Sequence, residues 1–276
     1  DGGTFTQQSK LHASDGAVGD WFGFSVSLHD DTALIGANGD DDNGKSYSGS
    51  VYVFTRSSSD GTFTQQSKLH ASDAAVTDHF GESVSLYGDT ALIGAYGDDD
   101  NSKSSSGSVY VFTRSSTDGG TFTQQSKLHA SDAAVGDSFG RSVSLYGDTA
   151  LIGAEFDDDN GKSASGSVYV FTRSSADGTF TQQAKLHASD PEASDRFGFS
   201  VSIYSNTALI AAYTDDDNSK TDSGSVYVFT RSSTDGGTFT QQSKLHASDA
   251  AASDNFGISV SLYGDTALIG AARDDD

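Results

Sequence analysis

The apolar positions of this chain fall in short strand-like runs, and no segment sustains the 3.6-residue period of a helix. Residues 80–130 show the pattern. Four runs occur there: 82–87 (ESVSLY), 90–95 (TALIGA), 108–114 (SVYVFTR) and 121–130 (TFTQQSKLHA). Gly88-Asp89 between the first two reads as a tight hairpin turn. Asp- and Ser-rich loops separate the others. The third run places Val109 and Val111 on one face and Tyr110 and Phe112 on the other. The second is also apolar on both faces, with small residues. Such strands require cover on both sides.

The four runs repeat. Phe-Gly recurs at Phe22, Phe80, Phe139, Phe197 and Phe256, with spacings of 58, 59, 58 and 59. The alternation follows DGT against DGGT, as at Asp60-Gly61-Thr62 and Asp118-Gly119-Gly120. Four-stranded units covered on both sides by copies of themselves are the blades of a β-propeller. A two-sheet sandwich would leave one face of each sheet wet. The expectation is an all-β propeller of antiparallel four-stranded blades, a single domain or segment over residues 1–276, with about five blades. The last blade is incomplete, because the sequence ends before a fifth copy of GSVYVF. The fourth run, in contrast, has an extra copy at 4–13, which could complete a closing blade only without its partner strand. This imbalance favours a segment of a longer array, and open blade edges that could self-associate.

Composition narrows the class. Of 39 acidic residues only Glu82, Glu155 and Glu192 are Glu, against 16 Lys and Arg, for a net charge of -23. A pI near 4.3 argues against a nucleic-acid partner. No run approaches the roughly 20 apolar residues of a membrane-spanning helix, so no membrane insertion is expected. With Cys at zero, disulfides and thiolate metal sites are excluded. The sequence carries neither an initiator Met nor a signal peptide, which suggests a processed chain or an excised piece.

The unit resembles the FG-GAP repeat of integrin α-subunit propellers, in the variant found in many secreted microbial proteins. The residues that carry the resemblance are Phe80-Gly81, Ser83-Val84-Ser85, Leu92-Ile93-Gly94-Ala95 and Gly107 to Phe112, recurring along the whole chain. The resemblance implies a propeller with the first strand of each blade nearest the axis and the fourth outermost. It also implies a secreted or cell-surface setting and a role in adhesion or binding. The family's DxDxDG calcium loop between the first two strands is missing. That turn is only Tyr87-Gly88-Asp89-Thr90, so the family's calcium ligands do not carry over.

Candidate chemistry lies in other acidic loops. Runs of three Asp follow the second strand at 40–42, 98–100, 157–159 and 215–217, and a fifth begins at Asp274. In an up-and-down blade these loops share a face with those joining one blade to the next, which add Asp73 and Asp78 and their equivalents. Hard cations take six to eight oxygen ligands. The expectation is a Ca²⁺ site in each blade, from Asp40 and Asp42, Asp98 and Asp100, Asp157 and Asp159, and Asp215 and Asp217. The competing reading is a solvated acidic surface. Residues 39–46 (GDDDNGKS) match the P-loop pattern by accident: three Asp would repel phosphate, and a strand follows where a helix is required. The recurring His of KLHASD reads as a blade-edge hydrogen-bonding group. The turn from Ser116 to Phe122 approaches an Asp-box hairpin, a structural feature. No GxSxG elbow and no non-repeated carboxylate pair stand out, so no enzyme is expected.

Positions that differ between units are a separate lead. They lie before and after Phe-Gly and after the GA of the second strand, all on the acidic face. Trp21, Tyr96, Phe156 and Tyr213 are the candidate ligand contacts. The leading expectation is a non-catalytic binding or adhesion module for an extracellular protein or glycan. The alternatives are a multivalent repeat lectin and a structural repeat of a matrix or filament.

Overall fold

The computed structural model describes residues 4, 6–100, 102–115, 120–232 and 237–274. Among them eighteen strands form five antiparallel sheets. The first blade is β1 (Val26–His29), β2 (Thr32–Ala37), β3 (Ser50–Arg56) and β4 (Phe63–Leu69). The second is β5 (Ser83–Tyr87), β6 (Thr90–Ala95), β7 (Ser108–Arg114) and β8 (Phe122–Leu128). The third is β9 (Ser142–Tyr146), β10 (Thr149–Ala154), β11 (Ser167–Arg173) and β12 (Phe180–Leu186). The fourth is β13 (Ser200–Tyr204), β14 (Thr207–Ala212), β15 (Ser225–Thr230) and β16 (Thr240–Leu245). The fifth holds only β17 (Phe256–Tyr263) and β18 (Thr266–Ala271). This is the expected propeller with a short last blade.

Within each blade the strands pair in chain order. Tyr87 opposes Thr90, so Gly88-Asp89 is a two-residue turn, and Gly88 takes the positive φ that such a turn needs. One feature went unread in the sequence. The third and fourth strands of all four complete blades slip register at one point, between Val111 and Phe112 in the second blade.

The first strands β1, β5, β9, β13 and β17 pack against one another in sequence and form the inner edge. Their terminal rings Tyr87, Tyr146, Tyr204 and Tyr263 follow at 4.9–5.1 Å between centroids. The core lies between blades. Leu34, Val51 and Val53 of the first blade meet Val84, Leu86, Ile93, Tyr110 and Phe112 of the second. The next two joints repeat this. Each large side chain so buried contributes about 1.5–3 kcal/mol. Phe80 is fully buried and meets Tyr110 and Phe112 edge-on at 5.4 and 6.0 Å. The Phe of Phe-Gly is therefore a wedge between blades.

The N-terminal copy of the fourth strand, expected at 4–13, pairs with no sheet among its described residues. Leu11 and Ala13 lie against Ile35, Tyr52 and Phe54 on the first blade. An outer strand needs a third strand to pair with, and the fifth blade has none. The two end faces are open: Val26 and Leu28 are 69% and 64% exposed, whereas Val84 and Leu86 are 8% and 5%.

Candidate functional site

The three Asp of each acidic run do three different things, and the second blade serves as the example. Asp98 is buried and accepts hydrogen bonds from Ser108 Oγ at 2.8 Å and Tyr110 Oη at 3.0 Å. Lys127 Nζ, from the outer strand β8, stands 2.8 Å from its Oδ2. Asp99 Oδ1 accepts the backbone N–H of Ser105 at 2.7 Å, closing the loop six residues on. Asp100 faces Lys127 at 3.9 Å and His129 at 3.6 Å.

A fourth carboxylate comes from the loop between blades. Asp73 accepts from Tyr110 Oη and Lys127 Nζ, both at 2.8 Å. Burial opposes ionisation of Asp73, but the hydrogen bonds from Lys127 and Tyr110 outweigh it and hold its pKa below the usual range. Burial raises the Tyr110 hydroxyl, helped by the charge of Asp98, so it stays a donor.

The other complete blades copy this set. Lys68 meets Asp15, Asp40 and Asp42 at 2.9, 2.9 and 3.4 Å. Lys185 meets Asp132, Asp157 and Asp159 at 2.8, 2.9 and 3.6 Å. Lys244 meets Asp190, Asp215 and Asp217 at 2.9, 2.9 and 3.6 Å.

The eight Asp read as calcium ligands are thus brought together in pairs, but around an ammonium group. Among the described residues no three His, Asp or Glu are arranged to hold a metal ion. The donor set does not fit calcium as it stands, because the position between the carboxylates belongs to Lys. Three of the recurring histidines stand beside the Asp run of their own blade, His70, His129 and His246 at 3.7, 3.6 and 3.4 Å from Asp42, Asp100 and Asp217, whereas His187 Nδ1 lies 2.9 Å from the Ala188 carbonyl oxygen. Lys45 of the false P-loop donates to the Ala74 carbonyl at 2.5 Å. The Asp-box reading at Ser116 to Phe122 lies mostly outside the described residues.

The non-repeated residues form a second structure on the same face. Trp21 lies 6.4 Å from Phe24 and 6.0 Å from Tyr47 between ring centroids. Tyr47 is 5.8 Å from His79, and His79 stacks on Tyr96 at 5.0 Å. The Arg141 guanidinium lies over Tyr96 at 5.8 Å and over Phe199 at 4.8 Å. Phe199 meets Tyr213 at 4.3 Å. Arg196 lies over Tyr213 at 5.5 Å and Phe156 at 4.9 Å. Ten side chains from four blades therefore make one continuous stripe, with each neighbour at a distance typical of aromatic or cation–π contact.

All four predicted contact residues lie in this stripe. Tyr47 was not picked out from the sequence. The signal existed, because the equivalent residues are Ser105, Ala164 and Asp222. All four hold positive φ, and each carbonyl bonds the residue before Phe-Gly of the next blade, as Tyr47 does His79 at 3.0 Å. That bond brings varying positions of successive repeats side by side.

A pair of non-repeated carboxylates, also unread in the sequence, supports the stripe from below. Glu82 and Glu155 are both buried, and both bond Arg141, Glu155 Oε1 at 2.8 Å. Burial raises the Glu155 pKa against the opposing charge of Arg141. The shared guanidinium locks the two acids in place.

The pattern that defines the FG-GAP repeat matches residues 5–54, 63–112, 122–171, 180–229 and 239–276. The chain belongs to the FG-GAP repeat family. No curated protein matches it. Among solved structures, a protein from Lactobacillus plantarum superposes with a TM-score of 0.54 at 15% identity, over 83% of this chain and 57% of that one. Sqt1 of Saccharomyces cerevisiae superposes with a TM-score of 0.46 at 13% identity, over 82% and 49%. The chain thus spans about half the length of the solved structures it matches. An FG-GAP propeller is a repeat-built scaffold for binding, and here the repeats carry the fold while the stripe carries what is individual to the chain.

Proposed function

We propose that this FG-GAP propeller is a non-catalytic binding module of an extracellular protein, secreted or at the cell surface. Its contact surface is the stripe running from Phe24 to Phe156. One observation carries the reading: residues that differ between repeats, scattered in sequence, meet in an unbroken row, while most of the chain is copied. Trp21, Phe24 and Tyr47 are 55%, 49% and 42% exposed and offer the apolar anchors that interfaces favour.

The non-repeating character of the stripe favours one extended partner, a protein, over a sugar held in equivalent pockets. A repeat lectin needs like residues at like positions, and Trp21, His79, Ser138, Arg196 and Asn255 are unlike. Calcium takes no part in this reading unless it displaces the lysines.

The test is solid-phase binding to purified matrix glycoproteins, native and enzymatically deglycosylated. Wild type and a variant carrying Trp21→Ala and Phe156→Ala are compared. Binding lost in the variant and indifferent to deglycosylation is expected. Loss on deglycosylation would favour the lectin. Binding that the variant keeps would overturn the role of the stripe.

A further inference from the structure

Arg141 and Arg196 approach the same buried acid, Glu155, and only one of them has a full set of acceptors. Arg141 bridges two carboxylates, Glu82 and Glu155. Arg196 has one carboxylate near it and does not bond it: its Nη1 lies 3.8 Å from Glu155 Oε2. That oxygen is buried and has no hydrogen-bond donor. Arg196 Nη1 donates to Tyr213 Oη instead. Among the described residues nothing accepts from Nε or Nη2 of Arg196, or from the Tyr213 hydroxyl. The Arg196 side chain is 34% exposed against 4% for Glu155, so the open donors are within reach of a partner and the open acceptor is not.

Arginines of the repeated strands are not left in this state. Arg114 and Arg173 hold Asp89 and Asp148 at 2.8 and 2.7 Å. Of the 16 Lys and Arg, only Arg141, Arg196 and Arg273 stand outside repeated positions. Each lies beside Phe-Gly or just after the second strand of its blade, on the face of the stripe. A guanidinium presents its N–H groups as a planar fork that matches a carboxylate.

We propose that Arg196 and Tyr213 receive the carboxylate of an Asp or Glu side chain from the protein partner of the stripe. This rests on the stripe being the contact surface. The bound carboxylate accepts from the Tyr213 hydroxyl and from the outer N–H groups of Arg196. Nη1 is then free to turn from Tyr213 onto Glu155 Oε2. Arg196 comes to bridge two carboxylates, as Arg141 already does, and the buried oxygen gains the donor it lacks. Trp21, Phe24 and Tyr47 at the other end of the stripe carry no charge, so the partner segment is apolar at that end and acidic at this one. The net charge of -23 repels an acidic segment elsewhere on the chain, which confines it to the arginines.

The test is selection of random dodecapeptides, displayed on phage, against the immobilised wild-type chain. Enriched peptides are then titrated by fluorescence anisotropy, as selected and with each Asp or Glu replaced by its amide. Wild type, Arg196→Gln and Tyr213→Phe are compared, with circular dichroism to check the folds. Tyr213→Phe removes only a hydroxyl and carries the comparison if Arg196→Gln misfolds. Acidic sequences should be enriched, despite the charge of the chain. One amide replacement should weaken binding to wild type at least tenfold and to either variant less than twofold. A selection that yields no acidic sequence overturns the proposal, as does an equal loss on wild type and variants. Peptides lost in the variant carrying Trp21→Ala and Phe156→Ala, but indifferent to Arg196→Gln and Tyr213→Phe, overturn this proposal and leave the stripe standing. Peptides that all of these variants keep overturn both.

Discussion

Lys127 Nζ stands 2.8 Å from Asp98 Oδ2, at the centre of the acidic loop where a bound cation would have to sit. The ammonium group supplies the charge that the three Asp of that site require. Lys127→Ala leaves a buried carboxylate without its partner, which costs on the order of 3 kcal/mol. The melting temperature should fall by roughly 6–12 °C at the scaling for a chain of this size. Calcium should leave the wild-type melt unchanged relative to EDTA and raise that of Lys127→Ala, since a ligand of the folded state stabilises by mass action. A calcium-dependent rise in wild type would place metal beside the lysine after all.

Tyr110 ties two loops together by donating to Asp73 and to Asp98. Tyr110→Phe keeps the ring against Phe80 and removes only the hydroxyl. The expected loss is about 1.5–3 kcal/mol, the range for a hydrogen bond to a charged group. Chemical denaturation reads it. Because Asp73 lies in the connection from the first blade, native-state hydrogen exchange should rise in both blades and not in the second alone.

Two glycines at one repeat position should respond differently. A Cβ on Gly94 would stand 2.0 Å from the Gly140 carbonyl oxygen of the next blade. Gly94→Ala should therefore destabilise by about 1–3 kcal/mol, as overpacking does. A Cβ on Gly270 would meet only its own blade, nearest Ser259 Oγ at 2.6 Å. Gly270→Ala should melt close to wild type, and an equal loss at both positions would refute the joint as described.

Acidity should first strengthen the fold. Burial pushes the carboxyls of Asp78 and Asp195 up to about 6, with the charges of Asp98 and Asp215 adding to it. A carboxyl with a raised native pKa binds protons more tightly folded than unfolded, so stability increases as pH falls from about 7 to 5. Asp73, Asp132 and Asp190 are lowered, with burial opposing and hydrogen bonds from Lys and Tyr prevailing. Their contribution is present above the unfolded value near 4 and is lost as pH falls below it. Melting temperature against pH should peak on the acidic side of neutrality. Asp78→Asn with Asp195→Asn should flatten the rise, because each amide oxygen can still accept the backbone N–H that the carboxylate holds.

Much of the fold was legible because a repeat states its pattern several times. Alternation in SVSLY, double-faced apolarity in SVYVF and the Gly-Asp turn each predicted an element that the structure contains. The serines of SVSLY gave no sign of bridging blades, since their partners lie 56–60 residues away. The N-terminal TFTQQSKLHA looked like a strand because every other copy is one. Among the described residues it joins no sheet, and its Leu11 and Ala13 pack on the first blade instead.

The site was only half legible. Counting Asp located the acidic loops correctly, but charge counting could not reveal that the Lys of KLHASD reaches into them from the outer strand. That lysine reads in sequence as one more exposed cation. The variable positions were visible as variation, yet their adjacency was not. By itself the sequence determined the architecture, because apolar spacing and turn chemistry are local and were restated in every repeat. Only the tertiary structure decided which charges neutralise the Asp runs and that the odd residues form one stripe. Those depend on which loops of successive blades converge in space, and blade-to-blade packing sets that.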